Sequence, residues 1–365
     1  MKASVTTGVG KGFKTTQVQL ADPIGREVLV TVKASGLCAS DLHLEQGAAT
    51  TLGFPAVLGH EISGVVEAIG PEVTTMNVGD HVVASLIQFC GACVDCLSGR
   101  TYACSNPGAT LRKADEPSRI ILEDGTDVTQ ALGLGGFAEK ALVHENQLAV
   151  VNKEIPFPQA AVLGCGVSTG AGAAINSAQV RVGDSVAVIG TGGVGLNAIS
   201  GALLAGATTI IAIDISDDKL AVAKKFGATH LINSTQVDPV EEVRRTTNGG
   251  ADHVFEIIGL PATQKQAVAM RGMLGTAYLI GIARPGTEVE MPADAGALFS
   301  QGGVRMVKMG STNLKRDIPM YADMYVQGRL NLDDLISQEI SIDQIEEGYE
   351  ALKRGEVIRS IITSF

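Results

Sequence analysis

The amino-acid sequence predicts an α/β protein with two domains, one rich in β-strands and one built on a doubly wound parallel sheet. Three observations lead to this class. The chain has 365 residues, and a domain takes about 150 residues on average. Residues 1–150 hold short apolar segments separated by glycines, as a strand-rich domain does. From about residue 167 onward, apolar β segments alternate with helical patterns, as in a parallel sheet covered by helices.

The strand-rich part includes residues 26–35, where apolar and polar side chains alternate as in a half-buried strand. Two segments bounded by glycine, residues 64–70 and 79–85, predict further short strands. Residues 105–135 are polar and irregular. We expect them to form a long loop that lines a site or an interface.

The composition is that of a globular protein, with 45% hydrophobic and 18% charged residues. The net charge of −11 and the lack of a basic run argue against nucleic acid as a partner. The first residues lack the apolar core of a signal peptide, so we expect a cytoplasmic protein whose thiols stay reduced.

Four of the six cysteines fall within "CGACVDCLSGRTYAC", residues 90–104. A disulfide is one interpretation, but disulfides are rare in a reducing compartment. Zinc binds thiolates tetrahedrally, and short spacers let one loop place several sulfurs around the ion. Four thiolates leave no coordination position open, so such a site is structural. The spacing favours a structural zinc held by Cys90, Cys93, Cys96 and Cys104.

The other two cysteines, Cys38 and Cys165, stand far apart, with His60 between them in "GHEISGVVEAIG". Each cysteine alone is typical of a small buried apolar residue. Two thiolates and one imidazole would also leave a fourth position for water or substrate, as in a catalytic zinc site. The spacing does not show whether the three residues converge, so both interpretations stay open.

The second domain contains the segment "SVAVIGTGGVGLNAISGALLAGATTIIAIDIS". A strand at 186–190, a glycine turn, a helix and a strand at 209–213 predict a Rossmann fold. The turn lets the backbone approach a pyrophosphate, and the helix N-terminus faces the phosphates. Asp214 follows, where an acid binds the ribose hydroxyls and disfavours the 2′-phosphate of NADP, so we expect NAD. The predicted turn comprises Gly190, Gly192, Gly193, Val194 and Gly195.

Residues 185–213 carry no charge and are long enough to span a membrane. The glycines of the turn interrupt this segment, and the β, helix and β patterns divide it. We therefore predict a strand, a turn, a helix and a strand here, and no membrane association.

These motifs together resemble the zinc-dependent medium-chain alcohol dehydrogenases, in particular the long-loop branch of the liver and class III enzymes. The likeness covers nearly the whole chain. It rests on "GHEISGVVEAIG" with "VGDHV", the cysteine cluster, "GCGVSTGAGAAIN", "GTGGVGLNAISGA" with Asp214, and "YEALKRGEVIRSIITSF". The resemblance implies a GroES-like catalytic domain over residues 1–166 and 309–365, a Rossmann NAD-binding domain over 167–308, and a homodimer.

The resemblance also implies two zinc ions per chain. Cys38, His60 and Cys165 would bind the catalytic ion, and the cysteine cluster would bind the structural one. Asp41 and Glu61 match acids beside the catalytic zinc, and we count Glu61 among the candidate metal ligands. Both acids also suit ordinary charged positions in a strand or loop.

The family's proton relay and coenzyme contacts can be carried over to single residues as well. Ser40 matches the hydroxyl near the zinc, and His43 matches the far end of the relay. Arg359 matches an arginine that binds the pyrophosphate, and Lys219 matches a lysine near the adenosine ribose.

The chain departs from the family at several positions. Ala39 stands where liver-type enzymes carry a basic residue that contacts the pyrophosphate. In the substrate pocket Leu86 replaces an aromatic residue and Phe137 is retained, although both also suit a core. The arginine that binds a glutathione adduct in class III enzymes has no clear counterpart, since Gly108 lies near its position and Arg112 is displaced.

The expected reaction is hydride transfer between NAD and an aliphatic, allylic or aromatic alcohol, giving an aldehyde or ketone. Two alternatives within the fold are an S-hydroxymethyl-thiol (formaldehyde) dehydrogenase and a non-catalytic NAD-binding zinc protein. A zinc hydrolase is a third. Ser40 and His43 argue against the non-catalytic protein, and the dinucleotide motif argues against the hydrolase.

Overall fold

A computed structural model describes residues 1–47, 52–292 and 300–365 and divides the chain into two compact units. The first unit comprises Met1–Cys165 and Asn313–Phe365, and the second comprises Gly166–Thr312. The first predicted domain boundary, between residues 166 and 167, lies one residue after the observed one. The second predicted boundary, between residues 308 and 309, lies four residues before the observed one. Within the described ranges, no helix is both long and apolar enough to cross a membrane.

The first unit is rich in β-strands, and its described residues form two sheets. Five strands close into a barrel in the order β1–β2–β7–β8–β4. They are β1 (Lys2–Thr6), β2 (Lys14–Leu20), β4 (Ala56–Val57), β7 (Ile120–Leu122) and β8 (Asp127–Gln130). The second sheet is formed by β3 (Glu27–Gly36), β5 (Glu61–Ile69), β6 (His81–Ala84), β9 (Lys140–His144), β10 (Leu148–Val150), β17 (Ile336–Ser341) and β18 (Arg359–Ser364).

The strands predicted at residues 26–35, 64–70 and 79–85 are confirmed as β3, β5 and β6. The prediction that residues 105–135 form one irregular loop is wrong in part, because this segment contains β7 and β8. Ile120 and Val128 from these strands are buried in the barrel core. Strands of three and four residues are too short to show a clear alternation in the sequence.

The second unit is built on a parallel sheet in the order β13–β12–β11–β14–β15–β16, which confirms the doubly wound α/β class. Its strands are β11 (Ser185–Ile189), β12 (Thr209–Asp214), β13 (His230–Asn233), β14 (Ala251–Glu256), β15 (Arg271–Leu279) and β16 (Gly303–Met306). Apolar side chains such as Ile189, Ile211 and Val254 fill the core. The strand order reverses between β11 and β14, and open α/β sheets bind ligands at such a point.

The described α-helices of the first unit are Ala39–Glu45, Val94–Leu97, Phe157–Val162, Leu314–Val326 and Ile345–Lys353. Those of the second unit are Ser168–Gly172, Gly193–Ala205, Asp217–Lys225, Pro239–Thr246 and Pro261–Met270. Residues 185–213 form the predicted strand, turn, helix and strand.

Candidate metal centres and dinucleotide-binding turn

The four cysteines of residues 90–104 bring their sulfurs together in one small lobe. The Sγ–Sγ distances are 4.0 Å for Cys90–Cys96, 3.4 Å for Cys93–Cys96 and 3.9 Å for Cys93–Cys104. Around a zinc ion with Zn–S bonds of ~2.3 Å, tetrahedral sulfurs lie about 3.8 Å apart. A disulfide requires about 2.05 Å between sulfurs. The geometry therefore fits a closed four-thiolate metal site and excludes the disulfide interpretation.

Backbone groups of the lobe point at the sulfurs. The amide of Cys93 donates to Cys90 Sγ over 3.3 Å, and that of Cys90 donates to Cys104 Sγ over 3.2 Å. Backbone donors, first that of Cys96, lower the pKa of Cys93 to about 5, which favours the thiolate that binds metal. Burial raises the pKa of Cys96 to about 12, an effect that a bound cation would oppose.

The second group of candidate ligands comprises Cys38, His60, Glu61 and Cys165, whose ligand atoms all lie within 4.8 Å of one another. Cys38 follows β3 and directly precedes the helix Ala39–Glu45. His60 directly precedes β5, and Cys165 lies in a π-helical turn at Leu163–Val167. All four residues are buried. Cys38, His60 and Cys165 therefore converge. This supports the interpretation as a zinc site over that of isolated buried cysteines.

Asp41 lies directly behind His60 in this cluster. Its Oδ2 is 2.9 Å from His60 Nδ1, and its Oδ1 accepts a hydrogen bond of 3.0 Å from the amide of Gly59. His60 Nε2 is buried and has no hydrogen-bond partner among the described residues. A carboxylate on one nitrogen of a histidine typically fixes the other nitrogen as a metal ligand. The donor set fits zinc, with Asp41 orienting the imidazole.

Arg359 approaches the same cluster from β18. Its guanidinium lies 3.3 Å from both carboxylate oxygens of Glu61 and 4.0 Å from Cys38 Sγ. A hydrogen bond from Cys165 and the charges of Arg359 and His60 hold the pKa of Cys38 well below its usual value. Burial raises the pKa of Glu61 to about 7, although the Arg359 charge opposes this rise. The contact of Arg359 with a pyrophosphate stays a prediction.

The residues predicted for the proton relay share one short helix, Ala39–Glu45. Ser40 is half-buried and His43 is exposed. Because they stand three positions apart, their side chains lie on neighbouring parts of the helix surface. Ala39 is exposed at the first position of the helix.

Leu86 and Phe137, the two residues predicted to line the substrate pocket, differ in burial and packing. Leu86 is half-buried and packs against a core cluster of the first unit. Phe137 is fully buried and packs edge-on against Phe13, with ring centres 5.8 Å apart, and against Tyr349 at 6.5 Å. Of its two interpretations, core or pocket wall, the structure places Phe137 in the core.

The glycine turn of the second unit joins β11 to the helix Gly193–Ala205. Gly190 has a φ of +95°, in the left-handed region that favours glycine. A Cβ on Gly195 would collide with the backbone oxygen of Gly190, whereas one on Gly192 would meet nothing within 4 Å. The turn is therefore closely packed on its inner side and open at Gly192. With Val194 in the first helical turn, this geometry fits a pyrophosphate at the helix N-terminus.

Asp214 ends β12 beside this turn. Its Oδ2 accepts hydrogen bonds of 2.8 Å from both the amide and the hydroxyl of Thr191, and its Oδ1 accepts from the amides of Ile215 and Ser216. Lys219 is half-buried in the first turn of the next helix, and its amide lies 3.4 Å from Ser216 Oγ. Sequence reasoning missed Thr191, which occupies a variable position of the motif. The only feature of the sequence that could have indicated Thr191 is its hydroxyl group between Gly190 and Gly192.

Glu256 is a second residue that sequence reasoning missed. It is fully buried at the end of β14, and its Oε1 accepts hydrogen bonds from the amides of Ile258 and Gly259 and from the Thr263 hydroxyl. These bonds fix the loop at the carboxyl end of the sheet, where ligands bind in this fold. An acid at the end of the apolar strand in "HVFEIIG" could have revealed it.

Comparisons with known proteins agree with this geometry. Residues 25–154 match the alcohol dehydrogenase GroES-like domain family, and residues 193–326 match the zinc-binding dehydrogenase family. An S-(hydroxymethyl)glutathione dehydrogenase of Paracoccus denitrificans is 35% identical, with 99% of each chain covered.

Solved structures show the same likeness. The benzyl alcohol dehydrogenase of Acinetobacter calcoaceticus is 35% identical with a TM-score of 0.93, covering 100% of this chain and 99% of the other. An alcohol dehydrogenase zinc-binding domain protein of Burkholderia ambifaria is 37% identical with a TM-score of 0.95, covering 100% and 98%. With both family domains present and relatives alike over their whole lengths, the chain belongs to the zinc-dependent medium-chain alcohol dehydrogenase family.

Proposed function

We propose that this chain is an alcohol dehydrogenase that transfers a hydride between an alcohol and NAD at a catalytic zinc. The observation that carries the proposal is the convergence of Cys38, His60 and Cys165, with Asp41 aligned on His60 Nδ1. Two thiolates and an imidazole leave a coordination position for a substrate oxygen. Membership of the family and the open turn at Gly192 support a dinucleotide as the hydride acceptor.

When bound, the zinc would act as a Lewis acid that makes an alcohol hydroxyl easier to deprotonate. The chain's own residues hold and orient its ligands. Asp41 fixes the orientation of the His60 imidazole, and Arg359 places a positive charge beside the Cys38 sulfur and the Glu61 carboxylate. Ser40 accepts the alcohol proton, and His43, exposed on the same helix, exchanges it with water.

We assign the lobe at residues 90–104 to a second, structural zinc held by its four cysteines.

We also propose that the protein is a cytoplasmic homodimer, as the family resemblance implies. The edge of the second sheet supports this pairing, because the apolar side chain of Met306 on edge strand β16 is 70% exposed. Light scattering of the purified protein should give twice the mass of one chain, and a monomer would contradict the pairing.

We propose aromatic, allylic or aliphatic alcohols as substrates. The likeness to a benzyl alcohol dehydrogenase and the apolar side chain of Leu86 support this class. The alternative substrate, an S-hydroxymethyl adduct of glutathione, needs a cation for its carboxylates. Arg112 is not available for that role, because its guanidinium binds both carboxylate oxygens of the buried Glu27 and the carbonyl of Asp22.

The test of this function is the formation of reduced nicotinamide by the zinc-loaded protein with NAD and a panel of substrates. We expect turnover with benzyl, allylic and simple aliphatic alcohols. Turnover confined to formaldehyde with glutathione would favour the alternative dehydrogenase. No turnover with any substrate, by a protein that binds both zinc and NAD, would favour a non-catalytic role.

Replacing Asp214 by alanine is expected to weaken the preference for NAD over NADP. The carboxylate accepts a hydrogen bond from the Thr191 amide of the glycine turn. An acid at this place in the fold binds ribose hydroxyls and would repel a 2′-phosphate. Loss of a charge-assisted contact changes binding by about 1.5–3 kcal/mol, or roughly ten- to a hundredfold. The ratio of kcat/KM values for the two coenzymes measures the effect. An unmodified enzyme that already prefers NADP would show the role given to Asp214 to be wrong.

Replacing His43 by glutamine is expected to slow alcohol oxidation near neutral pH by about a hundredfold, the lower end of the usual contribution of acid–base groups. The imidazole is exposed and has no part in the metal clusters, so coenzyme affinity should change little. Added imidazole buffer should restore part of the rate. A pH–rate profile identical to that of the unmodified enzyme would show that protons leave by another path.

A further inference from the structure

The side chain of Thr191 lies between the glycine turn and Asp214. Thr191 is 1% exposed, and its amide and hydroxyl both donate to the same oxygen, Asp214 Oδ2, over 2.8 Å. Asp214 is half-buried at the carboxyl end of β12. A buried hydroxyl thus holds a half-exposed carboxylate at the place where the fold binds an adenosine ribose.

The other carboxylate oxygen is held as well. Asp214 Oδ1 accepts from the amide of Ile215 over 2.8 Å and from the amide of Ser216 over 3.3 Å. Three of the four donors are therefore backbone amides, fixed by the strand end and the glycine turn. The Thr191 hydroxyl is the one donor in this set that a point substitution can remove without moving the backbone.

This arrangement restricts how Asp214 can respond to a phosphate. An acid that is free to rotate can turn away from a 2′-phosphate and so lessen the repulsion. Rotation of Asp214 would break two charge-assisted hydrogen bonds to Thr191 and leave its buried hydroxyl without a partner, which is costly.

We propose that Thr191 is a positioning residue for coenzyme specificity, which holds Asp214 facing the ribose hydroxyls and prevents it from turning away from a 2′-phosphate. The inference rests on the proposed function, because it assumes that NAD binds at this turn. It extends that function by assigning part of the discrimination to a side chain that need not touch the coenzyme.

The substitution Thr191→Val removes the hydroxyl and keeps the shape of the side chain. We expect the affinity for NADPH to rise, because Asp214 Oδ2 loses one of its two donors and the carboxylate can turn away from a 2′-phosphate at a lower cost. The affinity for NADH should change less, because without a 2′-phosphate nothing repels the carboxylate from the orientation that the backbone amides favour. The ratio of the NADPH and NADH dissociation constants should fall by about two- to tenfold, the effect of one hydrogen bond. Thr191→Ser keeps a hydroxyl at the same place and should preserve the ratio of the unmodified protein.

The experiment is calorimetric titration of each variant with NADH and with NADPH, which requires no turnover. Each variant's melting temperature is measured alongside, so that a folding defect is recognised. The same valine substitution is also made in an Asp214→Ala background. There it should leave the ratio unchanged, because the carboxylate that Thr191 positions is gone.

Three results would overturn the inference while leaving the proposed function intact. They are an unchanged ratio in Thr191→Val, a serine variant that behaves like the valine variant, and an equal effect of valine in the Asp214→Ala background. An unmodified protein that binds neither coenzyme would overturn the proposed function and the inference with it.

Discussion

Replacing Cys165 by serine is expected to abolish alcohol oxidation and to remove one zinc ion per chain, while the fold is kept. Cys165 is buried and its sulfur lies within the cluster formed with Cys38 and His60. A serine hydroxyl is a much poorer zinc ligand than a thiolate. The metal contributes several kcal/mol to the transition state, so its loss should cost roughly a thousandfold or more in kcat.

The fold should tolerate this change, because serine has nearly the shape of cysteine. A hydroxyl that is buried without its partner costs about 1–3 kcal/mol, which lowers the melting temperature by only a few degrees in a protein of this size. Zinc analysis, circular dichroism and steady-state kinetics on the same sample test this expectation. Full zinc content with full activity would exclude Cys165 as a ligand of the catalytic ion.

Replacing Cys93 by serine is expected to have the opposite pattern, with a large loss of stability. Cys93 lies 3.4 Å from Cys96 and 3.9 Å from Cys104 between sulfurs, so its loss opens the four-thiolate site. Zinc that binds a folded lobe contributes directly to folding free energy, by about 10–16 kcal/mol in isolated zinc-finger peptides. About half of this would lower the melting temperature of a protein of this size by roughly six to ten degrees.

The matched control for Cys93→Ser is Ser98→Ala. Ser98 is exposed on the same lobe, and its hydroxyl donates to the carbonyl of Val94 rather than to a sulfur. This variant should keep both its zinc content and its melting temperature close to those of the unmodified protein. If Cys93→Ser lost activity without stability, and Cys165→Ser lost stability without activity, the assignments of the two metal sites would have to be exchanged.

The parts of this protein that sequence reasoning predicted well are those whose residues are close together in the chain. The lobe at residues 90–104 carries all four ligands within one loop, so spacing alone indicates its geometry. The glycine turn at Gly190–Gly195 is equally local, because strand, turn and helix follow one another directly. In both cases short-range backbone geometry decides the structure.

The catalytic cluster depends on contacts that spacing does not encode. Cys38, His60 and Cys165 come from three separate elements, and only the fold of the first unit brings them together. Family resemblance supplied the convergence that the residues alone left open. Thr191 and Glu256 were missed for a related reason, since their importance depends on hydrogen-bond partners that become visible only in the folded chain.

Both metal sites and the proposed chemistry depend on the zinc content of the purified, unmodified chain, which can be measured without any variant. Elemental analysis by mass spectrometry, with protein quantified on the same sample, gives the number of zinc ions per chain. The two clusters described above predict two ions. One ion or none, in a preparation with full alcohol dehydrogenase activity, would show that at least one of the two clusters does not hold zinc in the active enzyme.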